Sequence, residues 1–308
     1  MQGLQLAPGQ EAKQFTTKTS DTHPINVSML VPVDTMPMLV NHLATIPVSS
    51  VKSPGKPLLC PASDEVWQST VMANQIGGNA PVPITAIPQP TTNLGIGNLL
   101  LSSCPGKKVR LDGPVRGRAA ICRDLKLDLG RIKEMGVGCI VCCLDDNELR
   151  YLGAPWEEYR ARAAELGLQV MRIPMPEGLT PSSLTTFDEH VEKVIRNYTL
   201  KGVHVLAHCR AGVGRAGLTA CAWAIKMGIA GPLPDLELQL SQLTEEGQDS
   251  QAICENARVM STVERVICLI RRRRSIKAIE TFEQVNFLAS YVAWLRRESG
   301  LASANEMQ

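Results

Sequence analysis

One string constrains this chain more than any other: His208-Cys-Arg-Ala-Gly-Val-Gly-Arg-Ala-Gly217, set between the apolar run 203–207 and a helix-like pattern that begins near Arg215. A strand that turns tightly into a helix points consecutive backbone N–H groups into one concavity, a nest suited to a tetrahedral oxyanion. The helix N-terminus adds unpaired donors and positive potential. Gly212 and Gly214 permit the turn and a close approach to phosphate oxygens. The loop has no Gly-Lys step followed by Ser or Thr, which excludes a nucleotide-binding P-loop.

Each side chain of the string has a physical job. Cys209 falls at the base of the nest, where the helix end and Arg215 favour the thiolate, the species that attacks. Arg215, six residues on, can return its planar fork to the same centre and hold two phosphate oxygens. The expected phosphate-binding set is Arg210, Ala211, Gly212, Val213, Gly214 and Arg215, with His208 ordering the loop. Phosphoryl transfer needs mainly positioning and charge stabilisation, so no metal or other cofactor is required. A buried structural cysteine is the plainer reading of Cys209, but the strand, loop and helix context agree with the motif against it.

Around the loop, apolar strand-length runs alternate with helical periodicity. Leu125, Leu129, Ile132 and Met135 share one helical face, and the run Cys139-Ile-Val-Cys-Cys-Leu144 follows. A helix from about 155 to 165 leads to a strand over 168–173. Thr180-Pro181 reads as a helix start, with Leu184, Phe187, Val191, Val194 and Ile195 along its face. Two later helices carry Val259, Val263 and Val266, and Val285, Leu288 and Val292. This alternation predicts an α/β fold, a central mostly parallel sheet flanked by helices on both faces.

Twelve of the 20 prolines fall in the first 90 residues, which marks 1–85 as a poorly structured N-terminal arm; within it, the stretches from Asn26 and from Ser63 are candidates for short local elements. The folded domain is then expected over 86–300, with an insertion or long loop at 231–257 and a tail at 301–308. The formal charge of +2 and the 4% aromatic content give no argument for a nucleic-acid or membrane partner. No apolar run is long enough to span a bilayer, and no secretory leader pattern opens the chain. Ten cysteines, mostly within apolar runs, suit a reducing compartment, cytoplasmic or nuclear.

The Cys-(five residues)-Arg loop resembles that of the protein tyrosine and dual-specificity phosphatases. Cys104-Pro-Gly-Lys-Lys, the helix over 123–135, the loop over 173–181 and Ala278-Ile-Glu-Thr-Phe-Glu-Gln-Val-Asn-Phe-Leu288 extend the resemblance, over about two-thirds of the chain, to the kinase-associated phosphatases. It implies a phosphatase that forms a phosphocysteine and acts on phosphorylated Tyr, Ser or Thr, with a cyclin-dependent kinase among the candidate partners. It also implies a general acid at Glu177, where the family normally has aspartate; Asp145, Asp146 and Glu148 compete for that role. Gln284 matches a glutamine that positions the hydrolytic water. Ala216 stands where the family has a Ser or Thr hydroxyl, which implies slower breakdown of the phosphoenzyme.

Two other functions stay open at this level. A phosphoinositide or inositol-phosphate phosphatase would favour a lysine in the loop, where this chain has Val213; a pseudophosphatase that only binds phosphorylated partners would explain Ala216 and Glu177. Cys139 and Cys142 read as core rather than half a zinc site. Cys142 or Cys143 could also trap Cys209 as a disulfide. The arginines at 271–274 read as a solvated helix end that complements the dipole.

Overall fold

The strand that delivers Cys209, His204–Cys209, is buried at every residue, as a strand covered on both faces must be. The computed structural model describes residues 17–46, 56–73, 95–113, 115, 117–231 and 247–301. Its strands are β1 (Lys18–Thr19), β2 (Val27–Met29), β3 (Leu99–Ser103), β4 (Lys108–Val109), β5 (Ile121–Cys122), β6 (Val137–Cys142), β7 (Gln169–Arg172) and β8 (His204–Cys209). Five of them form the main sheet in the order β2-β3-β8-β6-β7; β1, β5 and β4 make a small second sheet. Strands β3, β8, β6 and β7 run parallel, and β2 closes one edge antiparallel. The mostly parallel α/β architecture expected from the sequence is the one observed.

Helices α1 (Met36–Thr45), α2 (Asp64–Met72), α3 (Leu125–Glu134), α4 (Asp146–Tyr151), α5 (Trp156–Glu165), α6 (Leu184–Asn197), α7 (Arg215–Lys226), α8 (Gly247–Arg273) and α9 (Phe282–Glu298) complete the fold. Helix α7 is buried along its whole length, which explains its Ala, Gly and Cys content: small residues let it lie against β8 and β3 and under α8 and α9. Helices α3 and α5 pack against each other and against β6 and β7. Trp223, Tyr159, Tyr291 and Phe187 are the largest fully buried side chains.

Several expectations need correction. Much of the segment marked as an arm by its prolines is folded: β2 pairs with β3, α1 and α2 pack together, and Ile25, Leu30, Leu39, Leu58 and Val66 are core. Apolar residues spaced between the prolines outweigh the proline content. Of the rest of 1–85, residues 1–16, 47–55 and 74–85 lie outside the described residues. Helix α6 starts later than Thr180-Pro181, because Ser183 takes the cap and its Oγ accepts the Thr186 N–H at 3.2 Å. Part of the proposed 231–257 loop is helix, since α8 begins at Gly247; residues 232–246 lie outside the described residues. In the tail, Leu301 alone is described.

Candidate active site

Parallel strands carry their C-terminal ends to one side of a sheet, and loops from those ends meet there. β3 ends beside Cys104, β6 runs into Asp145, β7 into the loop at 173–183, and β8 into Cys209. Cys209 is 3% exposed, and its Sγ accepts the Gly212 N–H at 3.2 Å. Gly212 has φ of 73°, and a Cβ there would run into the Ser102 carbonyl. Among the described residues, no protein acceptor takes the backbone N–H groups of Arg210, Ala211, Val213 or Gly214. One N–H of the loop therefore meets the sulfur, and four others are left without a protein partner among the described residues.

Arg215 begins α7, and its guanidinium is buried. Nη1 and Nη2 grip the Glu148 carboxylate at 2.6 and 2.9 Å, and Nη1 also donates to the Met175 carbonyl at 2.8 Å. No partner among the described residues occupies Nε, which leaves that edge of the fork for an oxyanion. Burial lowers the Arg215 pKa, but Glu148 and the Cys209 sulfur more than offset it, and the net shift is upward. Glu148 is thus the arginine's holder. Asp145 caps α4 through the Glu148 N–H at 2.8 Å, and Asp146 pairs with Arg172 at 2.8 Å. All three competitors for the acid role are engaged elsewhere.

Glu177 remains. It is 62% exposed in side chain and meets Arg210, the residue after Cys209, at 3.0 and 3.2 Å. The loop over 173–183 is tied to the approach of α9 by Thr281, whose Oγ1 donates to the Gly178 carbonyl at 2.9 Å. Gln284 is fully buried; its Oε1 accepts the Glu280 N–H at 2.8 Å, and its Nε2 has no partner among the described residues. A Cβ on Gly214 would come within 3.0 Å of that Nε2, so the amide lies directly against the loop. Just before it, Ile279 holds φ of 57°, a region that β-branched residues avoid.

His208 lies behind the loop. Its Nε2 is 3.0 Å from the Tyr159 hydroxyl, and the rings stack with centroids 5.6 Å apart. Full burial holds the imidazole neutral, with its pKa down to about 3. The ring is therefore uncharged at neutral pH. Ala216 is fully buried at the head of α7 with no hydroxyl to offer.

The contacts of four side chains escaped the sequence reading. Glu148, named only as a competing acid, instead holds Arg215; it stands two residues past Asp146 in the acidic run after β6. Lys107, within Cys104-Pro-Gly-Lys-Lys, donates from Nζ to the Arg210 carbonyl at 3.0 Å. Arg274 reaches the carbonyls of Ala211 and Gly212 at 3.2 and 3.1 Å, and Arg273 reaches that of Met29 at 3.3 Å. The arginines at 271–274 are accordingly more than a solvated helix end. Cys139 and Cys142 are core residues of β6, and no group of three or more His, Cys, Asp or Glu among the described residues could hold a metal. Burial pushes the Cys142 thiol up to about 11 and Cys143 higher still, so neither is poised as a resolving thiolate. Among the described residues, no helix is long and apolar enough to cross a membrane.

Residues 118–229 match the family model described as "Polymorphic toxin system, DSP-PTPase phosphatase". Over that segment the chain is similar to dual-specificity-type phosphatases. No curated protein matches it. Similar solved structures include a kinase-associated phosphatase with its catalytic-site cysteine replaced by serine, 20% identical over 64% of this chain and 87% of that one, with a TM-score of 0.45. Tk-PTP in its active form is 21% identical over 64% and 92%, with a TM-score of 0.37. PTPMT1 is 15% identical over 66% and 94%, with a TM-score of 0.40. The matched segment runs from the approach to β5 to just beyond α7, and so includes Glu148, Glu177, Cys209 and Arg215.

Proposed function

We propose that this protein hydrolyses phosphomonoesters on protein Tyr, Ser or Thr through a phosphocysteine on Cys209. The observation that carries the proposal is the sulfur of Cys209 on the floor of a loop of unpaired N–H donors, with Arg215 fixed beside it by Glu148. In the first step the sulfur attacks phosphorus and the ester P–O bond breaks. The leaving oxygen takes the proton of Glu177, while the N–H groups of 210–214 and the Nε edge of Arg215 hold the equatorial oxygens. In the second step Glu177 takes a proton from water, whose oxygen attacks phosphorus; the S–P bond breaks and phosphate leaves. Gln284, against Gly214, orients that water. Ala216 donates nothing to the departing sulfur, so this second step is the slow one.

Two features support a protein substrate. Arg210 is the one basic side chain between Cys209 and Arg215, and Val213 brings no second charge for a polyphosphorylated ring. Arg210 and Glu177 are both partly exposed at the mouth, where a peptide backbone can meet them. A phosphorylated kinase is one such substrate.

The test is a comparison of phosphate release from phosphotyrosine, phosphothreonine and phosphoserine peptides with release from a panel of inositol phosphates. Acid-quenched samples are analysed by mass spectrometry for a phosphoryl group on the Cys209 peptide. Faster release from peptides with a trapped phosphocysteine is expected. Preference for the inositol phosphates would move the substrate to that class, and phosphopeptide binding with neither release nor trapped phosphocysteine would make the protein a binding module.

A further inference from the structure

A nest works only if its peptide groups face the right way. In a trans peptide the carbonyl of one residue and the N–H of the next point in opposite directions. Holding a carbonyl outward therefore aims the following N–H inward. Three consecutive peptide groups of the loop are held in this manner by cations from outside. Lys107 takes the Arg210 carbonyl at 3.0 Å, and Arg274 takes those of Ala211 and Gly212 at 3.2 and 3.1 Å. The N–H groups this turns inward belong to Ala211, Gly212 and Val213. That of Gly212 is the one that meets the Cys209 sulfur.

Arg274 has a second set of partners. Its Nη1 donates to the Asn26 carbonyl and to the Ser28 hydroxyl, both at 3.2 Å, so one guanidinium joins the catalytic loop to strand β2. Arg273 adds its bond to Met29 in the same strand. The planar fork suits this: a lysine offers one nitrogen and could not span loop and strand together.

We propose that Arg274 is a positioning residue that sets the direction of the phosphate-binding N–H groups, and that β2 is its anchor, making Asn26 and Ser28 part of the framework of the site. The inference rests on the phosphatase reading for its purpose, but its geometry can be tested without turnover. A segment whose prolines suggest an appendage becomes a brace for the loop that does the chemistry.

The experiment uses the full chain and the variants Arg274→Gln, Arg274→Lys and Ser28→Ala. Two quantities are measured: amide hydrogen exchange of the peptide covering 208–218, and the affinity for orthovanadate. Arg274→Gln should speed loop exchange and weaken vanadate binding by about tenfold each, as expected for losing charge-assisted bonds. The KM for an aryl phosphate should rise with the vanadate constant, and kcat should change less. Arg274→Lys should recover part of the loss. Ser28→Ala, which removes one hydroxyl from a part-buried position of β2 and should fold normally, should shift both quantities in the same direction by about two- to threefold. Exchange in β6 and α9 should not change.

Loop exchange and vanadate affinity equal to wild type in Arg274→Gln would overturn the proposal. So would exchange that rises equally across the core, because Arg274 would then be holding the fold and not the loop. A wild-type protein without turnover would defeat the phosphatase reading, while the exchange comparison would still decide the brace.

Discussion

Helix α7 carries a buried cation against carboxylates at each end, and the two ends are built to opposite purposes. At its C-terminus, Lys226 is fully buried and meets Asp188 at 2.6 Å and Glu192 at 3.4 Å. The same carboxylates receive the Tyr291 hydroxyl at 2.6 Å and the Leu58 N–H at 3.0 Å, and the Lys226 carbonyl takes the Cys60 N–H. Every partner is protein, and the cluster joins α6, α7, α9 and the segment after residue 56. At the N-terminus, Arg215 is almost as buried, yet only part of its fork is committed, to Glu148 and Met175. Beside it are backbone donors that no protein group satisfies. A buried ion pair closed on all sides ties a fold together. One left open on an edge, next to orphan donors, can hold a ligand.

Exchanging the cations breaks this comparison most sharply. Arg215→Lys keeps the charge but loses the fork, and kcat/KM for an aryl phosphate should fall by about 10³. Lys226→Met should leave kcat per folded molecule unchanged. It should cost about 3–5 kcal/mol in urea unfolding, because Asp188 is left buried without its cation. If instead the Lys226 variant loses activity while keeping stability, the division of labour between the two ends is wrong.

Glu177→Gln comes next. With a poor leaving group such as an alkyl phosphate, kcat should fall by about 10², and with an activated nitrophenyl ester by much less, since that oxygen needs little help from an acid. An equal loss on both esters would move the acid role elsewhere. Ala216→Ser tests the missing hydroxyl. It should raise the rate of phosphoenzyme breakdown by about tenfold, one hydrogen bond's worth, without changing the rate of the burst.

A further effect is on stability near the site. His208 is neutral in the native protein down to about pH 3, whereas the unfolded chain takes up that proton near 6.5. The unfolded state therefore binds more protons between those values. Its contribution to stability is complete above about 6.5 and is lost as pH falls toward 3, by at most about 1.4 kcal/mol per pH unit. Urea midpoints between pH 4.5 and 7 should show this slope in the wild type and a shallower one in His208→Gln.

The catalytic loop was legible because its chemistry is local: the sulfur, the glycines and the arginine lie within one turn, and the flanking periodicities place that turn between strand and helix. The loop that carries Glu177 was legible as the stretch that follows β7. What escaped was long-range. Glu148 lies 67 residues from Arg215, and the Arg274 bond to Ser28 spans 246 residues. No spacing rule connects such pairs before the sheet brings them together. Proline content misled for a related reason. The stretch from Asn26 reads as a candidate local element, but that Val27 and Met29 pair with Ser102 and Leu100 at the sheet edge is not signalled nearby in sequence. The glycine at 247 likewise hid the start of α8, whose stability comes from packing on α7 and α9 rather than from local propensity.

The central claim is tested most directly by metal-free, steady-state hydrolysis of an aryl phosphate by wild type and Cys209→Ser. Turnover by the wild type, with a phosphoryl group trapped on Cys209 and none released by the serine variant, is the predicted result. Equal rates from the two proteins, or no release and no trapped intermediate in the wild type, would contradict it.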